Sequence, residues 1–424
     1  MYVHSVHESI TRLSLKHGSL RILHVTPYSA DAWAYGGIPR LVRSLTRGLV
    51  KRGHQVTVCT TDACDESGRL PKRAEARSRF RAWPPERTRD DVEVRVFPNL
   101  SNRLAYHLQL FLPFGLNKYL SDQAGRFDVG HLHACRNVPG VIAAYHLHRA
   151  GVPYVLAPNG TAPRIERRRL AKRVFDTVMG QRILDRAARV LAVSNAERLQ
   201  LRALGVDPAA VRVIPNPIDL DEFTPPPERR AFRRRFALPG SPAAPIVMFL
   251  GKLTPRKRVD VLVRAFAQLE RRDARLVVAG NDMGAGGDTR ALVASLGLEA
   301  RTVFTGLLRG QERLEALADA DVVVYPSEDE VFGLVPLEAL LSGTPVVVAD
   351  DSGCGEIVSQ VGGGLVVPVG DVDGLCRAIG DMLDAPARWR TATIPAAERI
   401  RAAFGEDVVC ADVERLYGEM AAAS

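Results

Sequence analysis

Short apolar runs rich in β-branched residues alternate along this chain with longer amphipathic stretches. Residues 20–27 (LRILHVTP) form the first run and predict a buried strand. A loop with Gly36 and Gly37 follows. Leu41, Val42, Leu45 and Leu49 then recur at helical spacing, which predicts a helix over 38–51. Gly53 ends it, and QVTVCTT (55–61) is the second predicted strand. Strand, helix and strand in such short order predict a parallel βαβ unit.

Residues 65–91 break the rhythm with many arginines, a Trp83-Pro84-Pro85 run and little periodicity, and predict an exposed loop. Strand-like runs return at 92–97, 128–133, 153–158 and 188–194. The second half repeats the plan, with runs at 245–253, 274–280, 301–306, 320–327 and 344–350 and helical stretches between them. Pro215, Pro217 and Pro225-Pro226-Pro227 punctuate the two halves and place the boundary near 207–225. The predicted class is α/β, with two Rossmann-like doubly wound domains, 1–207 and 208–404, facing a cleft. Ligands are expected there, at the carboxyl ends of the strands. The last helical segment, 405–424, follows the completed second sheet and is free to pack back on the first domain.

The 424 residues are 46% hydrophobic and 25% charged, ordinary globular fractions. No apolar stretch is long enough to predict a spanning helix, and the N-terminal residues lack the apolar core of a secretion signal. Cys59, Cys64, Cys135, Cys354, Cys376 and Cys410 form no CxxC pair, which fits reduced cytoplasmic cysteine rather than a zinc site or a disulfide framework. The net charge of +9 is unevenly spread. Residues 1–215 hold 34 Lys/Arg against 17 Asp/Glu, a balance of +17, and the remainder hold 23 against 31, a balance of −8. No basic region interleaved with stacking aromatics stands out, so nucleic acid is not an expected partner.

The most informative segment is 327–350 (SEDEVFGLVPLEALLSGTPVVVAD). It places Glu330 after a predicted strand, then Phe332-Gly333-Leu334, then a helix carrying Glu338. The glycine lets backbone approach a ligand, and the helix start offers free N–H groups to an anion. A carboxylate at position 338 is placed to take a ribose diol; the plainer reading makes both glutamates solvated surface acids. The Gly36-Gly37 pair leaves room for phosphate against backbone, and it is not the GxGxxG of a dinucleotide oxidoreductase. His131 and His133 lie at i, i+2 on one face of a strand. They could bind a metal, but no third ligand is evident from spacing, so no metal site is predicted. Asp319-Ala-Asp321 and Asp371-Val-Asp373 also read as structural, the second as a helix N-cap.

These residues resemble a family. Glu330-x7-Glu338, set in FGLVPLEALLSGTPVV, is similar to the nucleotide-sugar signature of retaining GT-B glycosyltransferases of the family 4 (group 1) type. Residues 36–58 resemble that family's GG loop, first helix and second strand, and Gly251-Lys252-Leu-Thr-Pro-Arg256-Lys257 resembles its diphosphate-gripping loop. Lys252 stands where arginine is usual and Arg258 where glycine is usual; Lys for Arg keeps the charge but loses the bidentate fork. VSNAERLQL (193–201), VIPNPID (213–219) and SGCGEIV (352–358) are smaller matches, with Cys354 a local departure read as packing.

The resemblance implies a retaining, metal-independent glycosyltransferase without a cofactor, using a nucleotide diphosphate sugar as donor. It implies catalytic roles for Glu330, Lys257, Lys252 and His133. Donor contacts are implied at Gly36, Gly37, Lys252, Lys257, Glu330, Phe332, Gly333, Leu334 and Glu338. The 208–404 domain would hold the donor and the 1–207 domain a glycan or lipid-linked acceptor of cell-surface polysaccharide or glycolipid synthesis, in the cytoplasm. Peripheral contact with an anionic membrane is one use for the basic half, through an amphipathic segment at 164–179 beside the apolar 104–116. An anionic soluble acceptor is another. Rival readings are a sugar-nucleotide epimerase of similar architecture, which would need acid/base residues not matched here, and a non-catalytic glycan-binding protein, which would not need the cationic grip.

Overall fold

The computed structural model of the chain describes residues 18–65, 68–70, 85–162, 180–236, 238, 241, 243–351 and 353–423. Among these residues the first sheet has eight strands: β1 (Arg21–Val25), β2 (Gln55–Thr61), β3 (Glu86–Arg87), β4 (Glu93–Phe97), β5 (Val129–His133), β6 (Tyr154–Ala157), β7 (Arg189–Ala192) and β8 (Val211–Val213). Its order is β3-β4-β2-β1-β5-β6-β7-β8, parallel except for the β3/β4 pair. The second sheet is parallel, with order β11-β10-β9-β12-β13-β14, from β9 (Ile246–Leu250), β10 (Arg275–Ala279), β11 (Thr302–Gly306), β12 (Val322–Tyr325), β13 (Val346–Ala349) and β14 (Gly364–Val367). Helices cover these sheets, which is why central strands such as β9, β12 and β13 read as unbroken apolar runs rather than alternating ones.

β3, β8 and β14 are edge strands without a sequence expectation, and β3 lies inside the stretch expected to be loop. Two polar residues paired at an edge give no apolar period to read. The amphipathic segment expected at 164–179 lies outside the described residues. No helix among the described residues is long and apolar enough to cross a membrane.

Strand order decides where ligands can sit. In the first sheet the order reverses between β1 and β5, so the loops after these two strands flank a crevice. The loop after β1 carries Gly36 and Gly37, and β5 ends in His133. In the second sheet the reversal falls between β9 and β12. The loop after β9 carries Lys252 and Lys257; the loop after β12 carries Glu330 and Gly333.

The chain crosses between the two sheets twice, at adjacent places: the Ile218 N–H donates to the Phe404 carbonyl at 2.8 Å. After the second crossing, the helix Glu406–Ala422 packs on the helix Gly37–Lys51 of the first half. Arg47 seals that contact, pairing with Glu406 at 2.5 Å and with Asp219 of the first crossing at 2.6 Å. Further along, Glu414 accepts from Arg52, and Tyr417 reaches the His131 Nδ1 at 2.5 Å.

Candidate active site

The Gly36-Gly37 loop meets the second half across the cleft. Gly36 has φ +91°, a left-handed conformation that a side chain would strain. A Cβ on it would lie 3.0 Å from the Lys252 Cε, and one on Gly37 would lie 2.9 Å from the Leu334 Cδ1. The Lys252 ammonium donates to the Tyr35 carbonyl at 3.3 Å. Glycines, lysine and the start of the helix Leu334–Leu341 therefore converge.

Lys257 ends a short turn, Pro255–Lys257, and is buried. The next residue, Arg258, takes φ +48°, a backbone state that glycine reaches without strain. It is held there by ion pairs to Asp260 and Glu328. The Lys257 ammonium contacts both the Glu330 carboxylate and the Tyr325 hydroxyl, and lies 4.5 Å from the centre of the Tyr325 ring. Burial works to raise the Glu330 carboxyl, but the charges of Lys257 and Arg256 outweigh it and hold it below the ordinary glutamate value. Lys257 is pulled down by the same burial and partly restored by Glu330. The pair is thus a buried charge couple at the cleft wall, with Lys252 adding to the field at Glu330.

Gly333, at φ +78°, starts the helix Leu334–Leu341, whose first turn has no side-chain cap. Its free N–H groups form an anion-favouring end beside Lys252. Cys354 packs against Gly333, where a Cβ would fall 2.5 Å from its sulfur, and its N–H donates to the Glu330 carbonyl at 2.8 Å. The Phe332 ring turns away, edge-on to Phe404 at 5.6 Å. One turn along, Glu338 is 1% exposed and ion-paired to Arg40 and Arg313. The plain reading of the two glutamates as solvated surface acids is overturned.

Residues 232–399 match the family Glycosyl transferases group 1, and residues 36–217 match the family Glycosyl transferase 4-like domain. The D-inositol 3-phosphate glycosyltransferase of Kineococcus radiotolerans is 32% identical over 425 residues, 92% of this chain and 92% of that protein. This chain belongs to the group 1 glycosyltransferases. The protein of the same name from Mycobacterium avium is 34% identical over 70% of this chain and 74% of its own length. The fold matches sucrose-phosphate synthase from Thermosynechococcus elongatus, with a TM-score of 0.73 at 23% identity over 96% of this chain and all of that one. It also matches Anabaena HepE, solved in complex with UDP-glucose, with a TM-score of 0.71 at 19% identity over 94% of this chain and all of that one. The GT-B architecture expected from the sequence is what the glycosyltransferase has.

His133 stands in a buried group of its own. Its Nε2 lies 3.0 Å from the His24 Nδ1, and its ring stacks on His131 with centroids 4.2 Å apart. A third histidine is therefore present, contrary to the expectation from spacing, and the three offer ligand atoms within 4.8 Å of one another. The two nitrogens that approach most closely are hydrogen-bonded to each other, and the three rings are near parallel, within 23°, so their lone pairs do not converge as a tetrahedral ion needs. Burial holds all three well below the usual imidazole value, with His133 near 3. No hydrogen bond links His133 to the Lys257–Glu330 pair among the described residues.

The Asp-x-Asp strings have structural partners. Asp319 accepts from the Arg233 N–H at 2.9 Å, Asp321 pairs with Arg233 and Arg390, and Asp371 caps the helix Val372–Asp384. Sequence reasoning missed four polar groups packed against the candidate site residues: His24 on His133, Arg40 and Arg313 on Glu338, and Tyr325 on Lys257. Each sits in an element read for its apolar period, where one polar member carries no signal of its own.

Proposed function

We propose that this glycosyltransferase moves a sugar, with retention, from a nucleotide diphosphate sugar to a glycan or lipid-linked acceptor of cell-surface polysaccharide or glycolipid synthesis. The observation that carries this reading is the buried Lys257–Glu330 pair, which feels the charge of Lys252 and is joined through Cys354 to the uncapped helix start at Gly333. That arrangement suits a diphosphate on the cations and N–H groups, with sugar hydroxyls on the Glu330 carboxylate. Residues 208–404 would hold the donor, residues 1–207 the acceptor, and 405–424 return to the first domain.

In this mechanism no side chain is a covalent nucleophile. The bond from the anomeric carbon to the phosphate oxygen breaks, and the acceptor hydroxyl attacks from the same face. Its proton passes to the departing phosphate. Lys252, Lys257 and the helix start stabilise the charge that grows on that phosphate, Glu338 takes the ribose diol, and His133 lines the sugar. The test is the anomeric configuration of the new glycosidic linkage, read by proton NMR and compared with that of the donor; inversion would overturn the mechanism.

Phosphate charge met by lysines and backbone needs no cation, so activity is expected to survive EDTA. Loss with chelator, restored by magnesium or manganese, would return attention to the three histidines and the Asp-x-Asp strings.

The relatives named D-inositol 3-phosphate glycosyltransferase favour a second acceptor class, a phosphorylated cyclitol. The basic first half suits either acceptor by charge. A lipid-linked acceptor places the enzyme at the cytoplasmic membrane face. Leu100, Leu108 and Leu110 are 47%, 43% and 37% exposed near one another in sequence, and would add apolar contact. Sedimentation with anionic but not neutral vesicles, weakened by salt, is expected for that class. A protein that stays in solution at low salt leaves the soluble phosphorylated acceptor.

A further inference from the structure

Glu338 is held by two arginines that come from opposite halves of the molecule. Arg313, on the helix Gly310–Asp319, is 2% exposed and lies against Oε2. It is anchored a second time by Glu222, at 2.5 Å. Arg40, on the helix Gly37–Lys51, reaches across the cleft to Oε1, and its guanidinium lies 5.7 Å from the Trp33 ring. Burial, joined by the charge of Arg313, lowers it to about 9, with Glu222 and Asp219 opposing. Arg40 is the less firmly held of the two.

The space left beside Glu338 is ≈20 Å³, lined by Trp33, Arg40, Ser44, Asp219, Glu222 and Leu334. Ligand pockets are typically several hundred Å³, on the order of 300 or more. A nucleoside cannot reach the Glu338 carboxylate while Arg40 occupies it. A guanidinium and a ribose diol also present the same thing to a carboxylate, two adjacent donors.

We propose that Arg40 is a donor-site residue that stands in for ribose: it holds Glu338 while the cleft is empty and is displaced when the nucleotide arrives. Donor affinity is then set partly by the acceptor half, because the competent site is the fraction of molecules in which Arg40 has let go. The inference rests on the reading of Glu338 as the ribose carboxylate. Arg313 stays in place throughout, so removing Arg40 does not leave a buried carboxylate without a cation.

Calorimetry with UDP, GDP and ADP on the full chain tests it. Arg40→Met keeps the apolar stem over Trp33 and is expected to bind the preferred nucleotide roughly three- to tenfold more tightly. Glu338→Gln is expected to weaken it, and the double variant to show no tightening over Glu338→Gln alone. The gain should also be absent for inorganic pyrophosphate, which carries no ribose to seat at Glu338, whereas a general loosening of the cleft would raise its binding too. If Glu338→Gln binds as wild type, or none of the three nucleotides binds wild type, the ribose reading falls. If Glu338→Gln weakens binding while Arg40→Met binds equally or less well, the ribose reading stands and the role of Arg40 is overturned. Arg40→Gln replaces Arg40→Met should the latter not give a cooperative melt.

Discussion

Lys257→Ala is expected to lower kcat/KM by about 10²-fold or more, on the order of 3 kcal/mol, with kcat carrying much of the loss. The ammonium is buried against Glu330 and Tyr325 beside the cleft, so in the proposed mechanism its charge would act on the leaving phosphate with little solvent screening. The phosphate gains charge as the glycosidic bond breaks, which is why the effect belongs to the transition state more than to donor binding. Part of the loss would come from stranding Glu330 as a buried carboxylate without its partner. Lys257→Met paired with Glu330→Gln removes that contribution, and should still be far slower than Glu330→Gln alone. Steady-state kinetics with a saturable donor decide it: a variant within threefold of wild type would mean that this loop does not grip the diphosphate.

Acid is expected to destabilise the fold between pH 7.5 and 5.5, before ordinary carboxylates titrate. His24, His131 and His133 have folded-state values held below the unfolded value near 6.5, so the unfolded chain takes up protons that the folded one refuses. Their stabilising contribution is complete above that value and is lost progressively as pH falls from it toward the folded-state values. Each costs about 1.4 kcal/mol over this window, so three cost about 4 kcal/mol. Glu197 acts in the opposite sense. It is fully buried, and although the Gly160 and Val193 N–H groups donate to its carboxylate, burial lifts it to about 7. Taking up a proton in the folded state, it returns about 2 kcal/mol as the pH falls. The net expected loss is about 2 kcal/mol, and Glu197→Gln should steepen it toward 4. Urea titrations at the two pH values read both numbers; a flat profile in Glu197→Gln would show that the histidines are not buried as neutral groups.

Much of the architecture was legible in the chain. Ten of the apolar runs became strands β1, β2, β4, β5, β6, β7, β9, β10, β12 and β13, and 301–306 became β11, because short β-branched runs between helical stretches have few other stable uses. The motif loops were legible too, since a glycine pair, a lysine loop and an FGL helix start are local arrangements that do not wait on tertiary contacts. The edge strands β3, β8 and β14 were not, because two to four residues carry no period.

What only the tertiary structure decided is which side chains meet. His24 reaches His133 across 109 residues because β1 and β5 are neighbours, and strands buried on both faces carry no alternation that names a partner. Arg40 lies in a helix legible only through its apolar period, and Arg313 in one of the helical stretches between the later strands. Helical period tells which face a residue occupies, not what lies opposite that face. The two crossings of the chain bring the first helix against the second half, and that placement turns two ordinary arginines into the partners of Glu338.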